Sequence, residues 1–158
     1  MEDLESETAR WAEMPSWVLG QTAQHGSRLV TSAFSSVGAR GYHYRLLATL
    51  DDFGAASQAT LGRRSGIHLS DMVATVNELA ELGLVDRAPD PADRRRNVIS
   101  LTAAGKRQLR RLENRLAAAQ QELLAPLSPD ERRQLTALLS TLLEHHNRRA
   151  GVPETRWR

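Results

Sequence analysis

The sequence predicts a mainly α-helical chain interrupted by one β-hairpin, and three observations predict it. Apolar residues recur at three- and four-residue steps along most of its 158 residues. From Ser57 to Gly105 a short helix, a turn at Gly66, an amphipathic helix and a basic hairpin follow one another directly. After Thr102, leucines step by three and four in a heptad-like seam that asks for another helix. Helix, turn, helix and hairpin in that order form a winged helix-turn-helix, a device for placing one helix in a DNA major groove.

Residues 1–13 carry Glu2, Asp3, Glu5, Glu7 and Glu13 and read as an acidic, flexible arm. Trp11 in that arm either packs back onto the body or a partner, or stays a loosely held surface residue. Residues 14–40 are expected to be a helix, opened by Pro15. Val18, Thr22, Leu29, Val30, Ala33, Phe34 and Val37 give it a helical period, Gly20 and Gly26 weaken it, and Gly38 and Gly41 stop it.

Residues 41–101 make the DNA-binding lobe. His43, Leu46, Leu47 and Leu50 share one helical face, which Asp51-Asp-Phe-Gly54 is expected to end. Ser57 suits the N-cap of a third helix anchored by Leu61. In the fourth, Leu69, Met72, Val73, Val76, Leu79 and Ala80 form the inward stripe, and Gly83 suits a left-handed cap. The opposite face shows His68, Ser70, Asp71, Ala74 and Thr75, which would then meet base edges. A hairpin follows from Leu84–Arg87 and Asn97–Thr102, alternating Val98 and Ser100 against Ile99 and Leu101, with Pro89 and Pro91 keeping its loop out of regular pairing.

Residues 102–148 supply the last two helices. Thr102 caps the first, whose seam is Leu109, Leu112, Leu116, Ala119 and Leu123, ending at Pro126. Ser128-Pro-Asp-Glu131 is a capping box opening a helix faced by Leu135, Leu138, Leu139, Leu142 and Leu143. Residues 149–158 read as a polar, basic tail.

A net charge of +2 is too small to argue for nucleic acid by itself, so distribution decides. Arginines gather at 63–64, at 94–96 and after Lys106. The absence of Cys excludes disulfides and Cys-based zinc sites. No apolar run approaches about 18 residues, and no basic-then-apolar leader opens the chain, so a cytoplasmic, nucleoid-associated protein is expected. No nucleophile elbow, phosphate loop, dinucleotide fingerprint or His-Glu-x-x-His is present, so neither an enzyme nor a cofactor is expected. His145 and His146 are adjacent on a helix and point about 100° apart, so no metal site is expected there.

Arg94, Arg95 and Arg96 at a hairpin tip are either a solvated charge run or a cationic tip for the electronegative minor groove. The preceding helix-turn-helix favours the groove. Arg96 turns towards phosphates if the strand begins there. The recognition helix holds no Lys or Arg, so Ser70 and Thr75, with His68 or Asp71, are left to read bases. Much of the affinity is then expected from phosphates bound by Ser57, Arg63, Arg64 and Arg87.

Asn77-Glu-Leu-Ala-Glu-Leu-Gly-Leu-Val-Asp-Arg87, followed by Asp90-Pro-Ala-Asp-Arg-Arg-Arg-Asn-Val-Ile-Ser-Leu-Thr-Ala-Ala-Gly105, resembles the MarR family of bacterial regulators over about residues 15–146. The resemblance implies a helical dimerisation domain built from residues 14–40 and 102–148, a homodimer on a pseudo-palindromic operator, usually a repressor, and a small-molecule effector between lobe and dimer domain. It implies that Asp93 orients Arg95, making Arg95 the first choice for insertion. Trp17, His25, Tyr42, His43, Tyr44 and Arg45 are, on this resemblance, a candidate pocket for an aromatic acid; the other reading is core and interface packing. The competing class is an architectural or protein-interaction winged helix without effector control.

Overall fold

The computed structural model describes residues 9–151. Glu2, Asp3, Glu5 and Glu7 of the expected arm, and 152–158 of the expected tail, lie outside the described residues. Arg10–Glu13 wind into one turn of 3-10 helix, and Trp11 meets Trp17 edge-on with ring centres 4.5 Å apart.

Six α-helices and a three-stranded antiparallel sheet follow. α1 (Pro15–Ser35) runs through Gly20 and Gly26 unbroken, because packing against α5 outweighs a local cost of roughly 1 kcal/mol per glycine. α2 (Gly41–Phe53) passes the expected stop: Asp51, Asp52 and Phe53 are helical, and only Gly54, at φ 76°, ends it. α3 (Gln58–Ser65) begins at Ser57, whose Oγ accepts the Thr60 N–H at 3.3 Å. α4 (Leu69–Glu81) follows the turn, where Gly66 adopts φ 65°.

The sheet contains a strand that the residue pattern does not announce. β1 (Ala56–Ser57) pairs with β3 (Asn97–Leu101), and β2 (Val85–Pro89) lies on the other side of β3. Two residues are too few to display a period. Pro89 does pair, opposite Asn97, because β2 is an edge strand and tolerates a missing N–H. The irregular tip is therefore shorter than expected.

Leu46, Leu47, Leu61, Met72, Leu79 and Ile99 form the centre of the lobe and are fully buried. α5 (Ala103–Leu123) starts at Thr102, whose Oγ1 accepts the Gly105 N–H at 2.9 Å. Its seam was expected to need a partner chain. Instead Leu109, Leu112 and Ala119 are buried within the protomer, where α1 and α2 cover them.

α6 (Pro129–Ala150) is different, and its helix takes in the first two residues of the expected tail. No residue of α6 is buried, and Leu138, Leu139, Leu142 and Leu143 are all exposed. The capping box is formed: Ser128 Oγ accepts the Glu131 N–H at 3.3 Å, and Glu131 Oε2 accepts the Ser128 N–H at 2.8 Å. Those bonds hold the Glu131 carboxyl below its ordinary range. Ser128→Ala is expected to cost about 1 kcal/mol, read from the urea midpoint at constant slope.

Candidate nucleic-acid interface

α4 is rotated from the expected register. Met72, Val76 and Leu79 are buried, and Thr75 joins them at 1% exposure. The Thr75 hydroxyl donates to the Asp71 carbonyl at 2.7 Å, which satisfies its one polar group inside the core. Thr75 is therefore a packing residue and not a base reader. Leu69 and Val73, expected inside, are 65% and 42% exposed. With apolar residues around more than half of this helix, periodicity alone cannot say which edge turns inward.

The exposed face comprises Leu69, Ser70, Val73, Ala74 and Asn77, with exposed His68 immediately before the helix. Asp71 is half-buried at its flank, in the first turn where a carboxylate complements the helix dipole. Asn77, unremarkable in the sequence, accepts a hydrogen bond through Oδ1 from Arg87 of β2. That bond ties the wing strand to the face of α4.

Glu78 explains part of the acidity of this helix. The Arg40 N–H donates to His43 Nδ1 at 3.3 Å, so the other ring nitrogen, Nε2, donates to Glu78 Oε2 at 2.8 Å. The Arg40 guanidinium reaches the same oxygen. Glu78 thus faces the start of α2. The hydrogen bonds from His43 and Arg40 hold its carboxyl below the usual 4.5. A depressed folded pKa contributes stability that is full above the ordinary value and is lost as pH falls through the lowered one. Wild type is therefore expected to lose stability more steeply than Glu78→Gln below that ordinary value, as acid titrations of the two would show.

The hairpin tip is organised by its aspartates. Asp90 Oδ1 accepts the Ala92 N–H at 2.9 Å, and the Arg96 carbonyl accepts the Asp90 N–H at 2.8 Å. Asp93 Oδ1 accepts the Arg95 N–H at 3.1 Å. The carboxylate of Asp93 also sits 3.6 Å from both the Arg95 and the Arg96 guanidinium groups. Arg95 still extends into solvent with 95% of its side chain exposed, and Arg94 is exposed beside it.

The expected phosphate contacts are only partly alike. Arg63 and Arg64 are exposed on α3, the first bonded to Thr60 Oγ1 at 3.0 Å and the second stacked 5.2 Å from the Phe53 ring centre. Ser57 is occupied in capping α3, and Arg87 is engaged by Asn77.

The candidate effector residues do not converge. Trp17 pairs with Trp11, and His25 with Arg28. His43 is buried on Glu78, while Tyr44 stacks on Phe34 at 5.5 Å. Burial, then the nearby carboxylates of Glu113 and Asp52, push the Tyr44 hydroxyl up. Arg45 lies over the Tyr42 ring at 5.8 Å and donates to the Ser65 carbonyl in the helix-turn-helix turn. Packing partners therefore engage these side chains separately, apart from the Tyr42–Arg45 contact.

Comparison with known proteins follows the same geometry. A model described as MarR family matches residues 38–96, which span the lobe and its wing. An HTH-type transcriptional regulator of Mycobacterium bovis is 30% identical over 97 residues, covering 61% of this chain and 68% of that protein. The PcaV transcriptional regulator of Streptomyces coelicolor superposes with a TM-score of 0.73 at 30% identity, covering 85% of this chain and 98% of that one. The chain belongs to the MarR family.

A regulatory protein for the hcr operon of Thauera aromatica is also similar, at 34% identity over 99 residues, or 63% of this chain and 60% of that relative's length. PcaV is further known in complex with its natural ligand. Membership of the MarR family makes this a transcriptional regulator with a winged-helix fold. Among the described residues, no helix is long and apolar enough to cross a membrane.

Proposed function

We propose that this chain is a homodimeric, sequence-specific double-stranded-DNA-binding repressor that a small effector releases. The DNA-binding part rests on the exposed α4 face, tied to the wing strand through Asn77 and Arg87, and on the Asp93-braced arginine tip. In a paired protein, two α4 helices enter successive major grooves about 34 Å apart, and the wings enter the flanking minor grooves. His68 and Ser70 are then nearest the bases, Asp71 lies at the edge, and Arg63, Arg64 and Arg87 serve phosphates.

Pairing is supported by the uncovered leucines of α6 and by exposed Trp11, Met14, Trp17, Val18 and Leu19 at the start of α1. These two apolar surfaces, not the closed seam of α5, form the dimer contact. Exposed apolar surfaces of this kind call for a partner.

Effector control draws support from PcaV and its natural ligand. Because the six candidate side chains are dispersed in one protomer, the effector binds where the lobe meets the paired helices. It weakens operator binding by preferring a different lobe spacing. Footprinting on DNA flanking the protein's own gene tests the reading. A regulator protects one or two palindromic sites, whereas diffuse coating contradicts it. A thermal-shift panel of aromatic acids, followed by operator release with any that bind, tests the effector.

A further inference from the structure

We propose that α4 selects its half-site through thymine C5-methyl groups, read by Leu69, Val73 and Ala74, rather than through charged contacts to guanine. The inference rests on the DNA-binding reading and says which duplexes that surface accepts. Its basis is the composition of the exposed face. The side chains outermost on α4 from Leu69 to Asn77 are Leu69, Ser70, Val73, Ala74 and Asn77, and none carries a charge.

The usual reader of guanine O6 and N7 is a bidentate Arg or Lys, and α4 contains neither. The nearest guanidinium from the sheet, that of Arg87, is held by Asn77 Oδ1. That bond takes one of the two lone pairs of Asn77 Oδ1, so bidentate pairing with adenine N6 and N7 competes with Arg87. The Asn77 amide N–H is accepted alike by purine N7 and thymine O4, so by itself it discriminates poorly. The Ser70 hydroxyl serves several bases.

Apart from His68 and Ser70 at its N-terminal end, what remains of this face is apolar surface. Leu69 and Val73 lie one turn apart, with Ala74 beside Val73, and both larger side chains are too exposed to contribute much to the core. Thymine is the one base whose major-groove edge is partly apolar, through its C5-methyl group. Burying one methyl against a side chain is worth about fourfold in affinity. Two such contacts in each of two half-sites multiply to roughly two-hundredfold, a substantial share of the roughly thousandfold or more that separates specific from non-specific binding.

The test uses the intact protein and a duplex selected from random sequence. Each thymine of the half-site is replaced in turn by deoxyuridine, which keeps the base pair and removes only the methyl. The expected result is a loss of about fourfold at two or more positions under α4 for wild type. That loss should vanish at the matching position in Leu69→Ala or Val73→Ala. Both variants truncate exposed side chains, and an unchanged melting temperature shows that they remain folded. Equal losses in wild type and variants, or no loss on replacing any thymine, overturn the inference while leaving DNA binding intact. Selection of sites with only G·C pairs beneath α4 does the same. A protein that binds no duplex overturns this inference together with the reading beneath it.

Discussion

Arg95→Ala is expected to weaken operator binding on the order of a hundredfold, more than any single truncation on α4. A contacted base or groove arginine is worth roughly 1–3 kcal/mol, and a symmetric dimer loses two of them. Arg95 is the one to remove because its side chain is 95% exposed while its backbone N–H is fixed by Asp93 Oδ1. The loop is thus ordered before DNA arrives, and little freedom is lost on insertion. Asp93→Ala should give an intermediate loss, since it frees the tip without removing the cation. Ser70→Ala should cost less than either, and Thr75→Ala should leave binding unchanged, because Thr75 lies in the core. Operator titrations of the four variants at one salt concentration establish the order. Wild-type affinity in Arg95→Ala, or a larger effect at Ser70, would sink the assignment of the wing.

Gly105→Ala is expected to lower stability by about 2 kcal/mol or more, although alanine ordinarily strengthens a helix by up to about 1 kcal/mol. An added Cβ would lie 2.1 Å from the Leu84 carbonyl oxygen and 2.6 Å from Leu101 Cδ1. The same carbonyl accepts the Thr102 N–H at 3.2 Å, so the first turn of α5 cannot yield without pulling on the hairpin. Gly20→Ala is the matched control. It is also helical, an added Cβ there meets nothing within 4 Å, and it should stabilise. Thermal or urea unfolding of the pair decides the matter. Equal stabilisation by both substitutions would show that α5 does not abut the hairpin as described.

Much of the fold was legible because its signals are local. Ser57, Thr102 and Ser128 all cap the helices they precede, and the glycines at 66 and 83 adopt the left-handed conformation their positions require. The arginine tip was legible as a run of one residue type between two strands. What local pattern could not settle was orientation. The sequence places Thr75 outside and Val73 inside, and only the packing of α4 against α2 and α3 reverses them. Asn77 and Glu78 drew no notice as site residues because their partners, Arg87 and the Arg40–His43 pair, are fixed by tertiary contact. The aromatic and histidine residues of α1 and α2 looked like one cluster because they are near in sequence; in space each is consumed by a different neighbour. The leucines of α5 and α6 read alike, yet α1 and α2 cover only the former.

The most direct test is sedimentation equilibrium of the intact protein, alone and on a duplex selected from random sequence. Two chains per free particle, and the same two chains on one palindromic duplex, are the predicted result. A single chain that leaves every duplex unbound at modest ionic strength would contradict it.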